Sequence, residues 1–177
     1  MADLRLVSMT LADVDHVRSL DAACFADPWS VAAWERELKS AGRRHLVARV
    51  GDRLVGHAGT LLMLDELHLT VVAVNPAYEG QGLATRLCCE LLLAGRVDGA
   101  TAATLEVRAG SLRAQRLYGR LGFVPSGVRP GYYRQPTDDA LIMWLADLDG
   151  IEAEQRLHKV ASEVGRADEV RKERWLV

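Results

Sequence analysis

The stretch VVAVNPAYEGQGLAT, residues 71–85, decides the fold. It starts as a run of apolar, β-branched residues that is typical of a buried strand, passes through a loop with Gly80 and Gly82, and enters a helical pattern. The N–H groups at a helix start, together with the helix dipole, form a site for a pyrophosphate. Glycine lets the main chain approach such a ligand closely. The stretch therefore predicts a strand–loop–helix junction that can bind an anion.

Two common phosphate-binding motifs do not fit this loop. No Lys-Ser/Thr pair follows the second glycine, as a P-loop requires. The third glycine of a dinucleotide fingerprint is missing, and so is its acidic residue at the end of a following strand. Two glycines alone are weak evidence, so the kind of ligand must be inferred from the rest of the chain.

The pattern around the junction alternates between strands and helices. The predicted elements are a strand at 4–7, helices at 10–25 and 30–40, strands at 45–50, 54–64 and 68–74, a helix from about 84 to 96, a strand at 101–108, a helix at 111–121, and strands at 123–129 and 140–145. A loop rich in Pro, Gly and Tyr separates the last two strands. This order predicts an α/β (α+β) fold with a mixed central sheet of about seven strands flanked by helices.

The composition changes after Asp149, which predicts a domain at residues 1–149 and a charged helical extension at 150–177. The apolar stripe expected on this amphipathic helix consists of Ile151, Leu157, Val160, Ala161 and Val164. Two interpretations stay open for the extension. It packs against the domain's own surface, or it contacts a partner or a second copy of the chain.

The composition excludes several classes of protein. The net charge of −2 and the pI of about 6.2, without a basic stripe, argue against direct contact with nucleic acid. No apolar run is long enough for a membrane span, and no signal peptide is evident, so a cytoplasmic protein is expected. Cys24, Cys88 and Cys89 have neither metal-ligand nor redox spacing, and no metal is expected.

Two side chains outside the junction suggest chemistry. Glu106 lies inside the apolar strand LEVR, residues 105–108, where a carboxylate is either part of a solvated strand face or a general base. Tyr118 lies on the next helix and is expected near the end of that strand. The chain has no credible Cys–His pair for covalent catalysis, which fits a reaction that needs no protein nucleophile.

Taken together, QGLA at 81–84, LEVR at 105–108 and LYGRLGF at 117–123 resemble the GNAT superfamily of acetyltransferases. Within the superfamily, residues 5–145 are most similar to the bacterial enzymes that acetylate the N-terminal alanine of a small-subunit ribosomal protein. The segments DPWS at 27–30 and RPGYY at 129–133 add to this similarity.

The resemblance implies a GNAT fold and transfer of acetyl from acetyl-CoA to the α-amino group of a peptide or protein N-terminus. It implies Glu106 as the general base and Tyr118 as the general acid. The residues that it implies for acetyl-CoA are Val72, Ala73, Val74, Gly80, Gln81, Gly82, Leu83, Ala84, Thr85 and Ser111. Those that it implies for the acceptor are Trp29, Tyr132 and Tyr133.

Two positions depart from the family pattern. Glu79 begins the loop where the family often has Gln or Arg, and its charge opposes a diphosphate. Ser111 replaces an Asn, although it can also cap a helix. Two alternatives therefore remain open: a GNAT enzyme acting on another amine, such as a lysine, a polyamine or a small molecule, and a non-catalytic acyl-CoA-binding module.

Overall fold

The structure, a computed structural model, describes residues 4–173, with side chains up to residue 164. Within this range the chain forms seven strands and five α-helices. They are β1 (Leu4–Ser8), α1 (Val14–Cys24), α2 (Val31–Lys39), β2 (Arg43–Val50), β3 (Arg53–Met63), β4 (Glu66–Val74), α3 (Leu83–Val97), β5 (Ala102–Arg108), α4 (Leu112–Leu121), β6 (Val124–Arg134), β7 (Thr137–Leu145) and α5 (Ile151–Glu173). Short 3-10 turns occupy Leu11–Asp13 and Pro76–Tyr78.

The strands form one mixed sheet in the order β1-β2-β3-β4-β5-β7-β6. Only β4 and β5 run parallel, and the other neighbours are antiparallel. The crossover between β4 and β5 is made by α3, as a parallel connection requires. The seven-stranded mixed sheet predicted from the sequence is confirmed.

The pairing of β4 with β5 is short. It covers Glu66 to His68 on β4 and Ala102 to Thr104 on β5, after which the strands diverge. At the same level the register of β4 against β3 shifts, so that Thr70 is an extra residue between two paired positions. A β-bulge of this kind bends its strand. The bend opens a gap between β4 and β5.

Helices cover both faces of the sheet. Successive residues of a strand point to opposite faces, and Val47 and Ala48 of β2 accordingly belong to two different core clusters. On one face α3 packs through residues such as Leu87 and Leu91, which are fully buried. On the other face α1 and α2 pack through Val17 and Trp34.

A buried polar network lies under α1 and α2. His57 contacts Asp21 at 2.7 Å, and the indole N–H of Trp34 donates to the same carboxylate at 3.2 Å. His45 contacts Glu37 at 3.1 Å and packs edge-on against Trp34. Burial lowers the pKa of His45 despite the adjacent Glu37 carboxylate. The imidazole is therefore held neutral and acts as a packing element.

The prediction for the end of the sheet was wrong in its extent. Strand β6 continues to Arg134 and β7 begins at Thr137, so most of the expected Pro/Gly/Tyr-rich loop is strand. Pro130 and Gly131 fall in a bulge between two paired positions, Arg129 and Tyr133. A bulge tolerates a proline because the residues in it make no ladder hydrogen bonds.

Helix α5 packs against α3 and α4 along a stripe that differs in one residue from the predicted one. Val160 and Val164 are buried as expected, but Ile151 is 63% exposed and Ala153 takes its place in the contact. Near the other end of the stripe, Val164 lies directly against Gly82. The division of the chain at residue 149 remains a prediction. None of the helices described is long and apolar enough to cross a membrane.

A substitution of Gly59 tests how tightly the buried polar network is packed. A methyl group at this position would lie 2.2 Å from the His45 ring, which Trp34 and Glu37 hold in place. We expect Gly59→Ala to lower the free energy of unfolding by about 1–3 kcal/mol, the usual cost of overpacking a core. Urea denaturation measures this change.

The matched control is Gly119→Ala. Its added methyl group meets nothing within 4 Å and lies within α4, so it should raise stability by about 0.5–1 kcal/mol. Equal changes in the two variants would contradict the steric argument.

Candidate active site

The gap between β4 and β5 joins two clefts on opposite sides of the sheet. The first, of about 590 Å³, is formed by residues 78–85 with α4 and is named the loop cleft. The second, of about 940 Å³, is formed by the end of α1, the segment after it and the β6–β7 hairpin, and is named the hairpin cleft. Both are lined by Val72, Ser111, Ala114 and Tyr118. Ligands in the two clefts can therefore meet at the gap.

The floor of the loop cleft is the start of α3. Gly80 and Gly82 have φ angles of +72° and +79°, a left-handed conformation that glycine adopts without strain. Gly82 caps α3, and the helix begins at Leu83 with its first N–H groups lacking intrahelical partners. These groups and the helix dipole favour a phosphate at this point.

Helix α4 forms the opposite wall of the loop cleft. Ala114, Leu117 and Tyr118 follow each other at helical spacing and line the cleft together. Arg113, one residue earlier, reaches across and pairs with Glu79. The arginine therefore offsets the acidic charge that Glu79 places at the mouth of the cleft.

Tyr118 lines both clefts, as Ala114 does, and brings a hydroxyl group of α4 to the gap. Burial raises the pKa of its phenol well above the ordinary value, with the Cys88 thiol adding to the effect. Its ring packs edge-on against Phe123, with 6.0 Å between the ring centroids. Tyr118 therefore stays protonated at neutral pH and keeps an O–H to donate.

Glu106 lies on β5 where the strands diverge and lines the hairpin cleft. Its side chain is 12% exposed, and both carboxylate oxygens have partners. His68 Nε2 lies 2.7 Å from Oε2, and an Arg129 guanidinium nitrogen lies 3.2 Å from Oε1. The first partner comes from β4 and the second from β6, so the carboxylate is fixed from two sides.

Tyrosines of the β6 bulge wall the hairpin cleft. Tyr132 and Tyr133 pack edge-on with 5.1 Å between centroids. The Arg108 guanidinium lies 4.1 Å from the Tyr133 ring and donates two hydrogen bonds of 2.9 Å to the turn carbonyls of Gln135 and Pro136. Cation–π contact and hydrogen bonding thus hold the hairpin against β5.

The structure brings nearly all of the predicted site residues together. Gly80, Gln81, Gly82, Leu83, Ala84, Thr85, Val72, Val74, Ser111 and Tyr118 line the loop cleft. Glu106, Trp29, Tyr132 and Tyr133 line the hairpin cleft. Ala73 lines neither, because its side chain points into the core under α1 and α2. It can contribute only through its backbone.

The sequence analysis gave no role of their own to three residues of the site, His68, Arg113 and Arg129. The contact of His68 with Glu106 depends on the register of β4 against β5, which no local pattern indicates. The pairings of the two arginines depend on a bulge and a loop whose course the sequence does not specify.

The comparisons with known proteins agree with this geometry. The sequence profile of the Acetyltransferase (GNAT) family matches residues 14–123. The chain belongs to the GNAT acetyltransferase family, as the motifs predicted.

Individual relatives and solved structures show which members of the family the chain is similar to. The chain is 37% identical to the N-alpha-acetyltransferase RimI of Mycobacterium tuberculosis, over 77% of this chain and 88% of that protein. It is 32% identical to the ribosomal protein bS18-alanine N-acetyltransferase of Escherichia coli K12, over 78% and 94%. The crystal structure of the ribosomal-protein-S18-alanine N-acetyltransferase from Escherichia coli superposes with a TM-score of 0.75 at 28% identity, over 81% and 94%.

The loop and α5 yield a prediction about Gly82. A methyl group at this position would lie 2.0 Å from Val164. The substituted residue would also keep a backbone φ of +79°, which residues with a side chain rarely adopt. Gly80→Ala is the matched control, since it shares the positive φ but meets only an Arg113 nitrogen at 3.9 Å.

We expect Gly80→Ala to cost about 1–2 kcal/mol of folding free energy, the cost of a left-handed residue with a side chain. Gly82→Ala should cost about 1–3 kcal/mol more, because the contact with Val164 is overpacked. Urea denaturation of both variants measures the difference. Equal losses of folding free energy in the two variants would mean that Val164 of α5 is not in tight contact with Gly82.

Proposed function

We propose that this protein transfers the acetyl group of acetyl-CoA to the N-terminal α-amino group of a protein, with the N-terminal alanine of a ribosomal protein as its acceptor. The observation that carries this proposal is the meeting of the two clefts at the gap, with Glu106 on one side and Tyr118 common to both. The relatives named for alanine N-acetylation support the choice of acceptor.

The loop cleft fits the donor. Residues 80–85 offer backbone N–H groups for the pyrophosphate, and the glycines leave room for its approach. From Leu69 onward the edge of β4 that faces β5 has no ladder partner among the described strands. Backbone groups near Val72, Ala73 and Val74 can therefore bind the pantetheine arm and stabilise the oxyanion formed during attack. Ser111 borders the same cleft.

Arg113 provides the positive charge that the loop itself lacks. It is held at the cleft mouth by Glu79, and a phosphate group would compete with that carboxylate for the guanidinium. The net effect of the pair is a weaker attraction for the donor than an unopposed arginine would give.

The acceptor amine must lose a proton. An α-amino group has a pKa of about 7.7–8.0, so a large fraction is protonated at neutral pH. Glu106 accepts this proton, either directly or through one water. Because both substrates are fixed at the gap, proximity and orientation contribute much of the rate acceleration.

Tyr118 acts on the departing sulfur. A CoA thiol resembles a cysteine thiol, with a pKa of about 8.5, while burial raises the pKa of Tyr118 far above that value. Complete transfer of the phenolic proton to the sulfur is therefore uphill. Tyr118 therefore acts as a hydrogen-bond donor that stabilises the developing thiolate, in place of the complete proton transfer that a general acid makes.

The acceptor peptide lies in the hairpin cleft. Tyr132 and Tyr133 form one wall, and Trp29, which is 41% exposed and packs against Trp34, lies on the other. We assign residues 1–149 to the catalytic domain and residues 150–177 to an extension. The buried stripe of α5 faces α3 and α4, which favours packing within the chain over a contact with a partner.

Turnover with a short peptide tests the proposal. With a peptide beginning Ala-Arg, acetyl-CoA should release free thiol, and an N-blocked version of the peptide should give none. Glu106→Gln should lower kcat about 10²- to 10⁴-fold, because it removes the proton acceptor. A protein that binds acetyl-CoA but turns over neither peptide, or only a lysine or polyamine, would contradict the proposal.

The Glu79–Arg113 pair gives a separate prediction about donor affinity. Glu79→Gln should tighten acetyl-CoA binding about 3- to 10-fold, and Arg113→Gln should weaken it by a similar factor, as expected for one charge-assisted contact in a partly exposed site. Both effects should shrink at high salt. Calorimetric titration with acetyl-CoA measures them.

Arg44→Gln is the control, since Arg44 pairs with Asp98 in an exposed position that lines neither cleft. Unchanged affinity in both Glu79→Gln and Arg113→Gln would show that the pair lies outside the donor site.

A further inference from the structure

His68 occupies a particular place in the sheet. It is the last residue of β4 that pairs with β5, opposite Thr104, and the strands diverge immediately after it. Glu106 lies two residues beyond Thr104 on the same face of β5, which brings its Oε2 within 2.7 Å of His68 Nε2. The side chain of His68 is 30% exposed, while that of Glu106 is 12% exposed. The imidazole is therefore the more exposed member of the pair.

The two partners of Glu106 differ in chemistry. Arg129 holds Oε1 through a guanidinium that stays protonated and can only donate hydrogen bonds. His68 has two ring nitrogens, and an imidazole can both accept and donate a proton. Of these two partners, only His68 can take up a proton that arrives at Glu106.

The other neighbours of His68 in the sheet lie on β3 and on its own strand. Its partner on β3 is the apolar Leu61. On its own strand, Glu66 lies two residues away on the same face. Glu106, with Arg129 behind it, is the charged group in direct contact. The hydrogen-bonded contact of the imidazole is therefore with the Glu106 carboxylate.

We propose that His68 is the proton relay that restores Glu106 after each turnover, an inference that rests on the proposed acetyl transfer. The N–H bond of the acceptor ammonium breaks as an O–H bond forms on Glu106. That O–H bond then breaks as the proton moves to Nε2 of a His68 ring that carries its own proton on Nδ1, and the Nδ1 proton leaves to water. The ring returns to its starting tautomer by exchange with solvent, so the positive charge of the ammonium ends as one proton in solvent. The second proton that the attacking nitrogen loses ends on the thiolate of CoA, which leaves as the free thiol.

A relay separates two demands on Glu106. The carboxylate must be shielded from water to act on the amine in the gap, yet it must lose its proton before the next acceptor binds. Contact with a more exposed imidazole meets both demands, because the proton leaves through the ring while Glu106 stays in place. His68 acts through Glu106 and is not itself in contact with the acceptor.

The experiment measures peptide acetylation from pH 6 to pH 9 in wild type, His68→Gln and His68→Ala. His68→Gln keeps a side-chain amide beside Glu106 but cannot carry a proton. We expect kcat to fall about 10- to 100-fold in both variants, part of the usual contribution of acid–base groups. The KM for the peptide and the Kd for acetyl-CoA should stay within about twofold. Added imidazole should restore kcat in His68→Ala but not in Glu106→Gln.

His158→Gln is the control, because His158 lies on α5, is 63% exposed and lines neither cleft. The relay would be overturned if His68→Gln had the same kcat and pH profile as wild type. It would also be overturned if His68→Gln were fully active while His68→Ala was slow and not rescued by imidazole. Wild-type protein that acetylates no peptide would overturn the proposed function itself. The two failures are thus distinguishable.

Discussion

The divergence of β4 from β5 after a single short stretch of parallel pairing sets the position of every group in the site. It leaves one edge of β4 without ladder partners and opens a passage through the sheet between the two clefts. The bulge at Thr70 bends β4 at this level, and the Thr70 hydroxyl secures it by donating to the carbonyl of Gly59 at 3.1 Å. A regular, fully paired sheet would separate Glu106 from Tyr118 by a continuous wall.

The side chains of Tyr118 and Glu106 meet at the gap in different electrostatic surroundings. Tyr118 is buried on the α4 side, where the absence of solvent keeps its phenol protonated. Glu106 projects from β5, and its carboxylate is held by a histidine and an arginine from separate strands. A hydrogen-bond donor and a proton acceptor therefore face the same passage. Their environments differ because they project from a helix and from a strand, respectively.

Much of this could be read from the sequence, because the informative signals are local. The strand–loop–helix junction and the spacing of α4 each depend on a few neighbouring residues. The extent of β6 could not be read, since Pro130 and Gly131 normally indicate a loop and are tolerated here only within a bulge. The contact of His68 with Glu106 depends on register across a gap, which no local pattern encodes.

The seating of Val164 on Gly82 makes the C-terminal helix part of the loop's environment. Helices at chain ends open locally more often than core elements, and such opening is resisted by anything that binds only the closed form. A ligand gripped by residues 80–85 favours the loop conformation against which α5 rests. Occupancy of the loop cleft is therefore linked to docking of α5. Amide hydrogen exchange along α5 should slow as the cleft fills with ligand, although the helix lies outside the reacting centre.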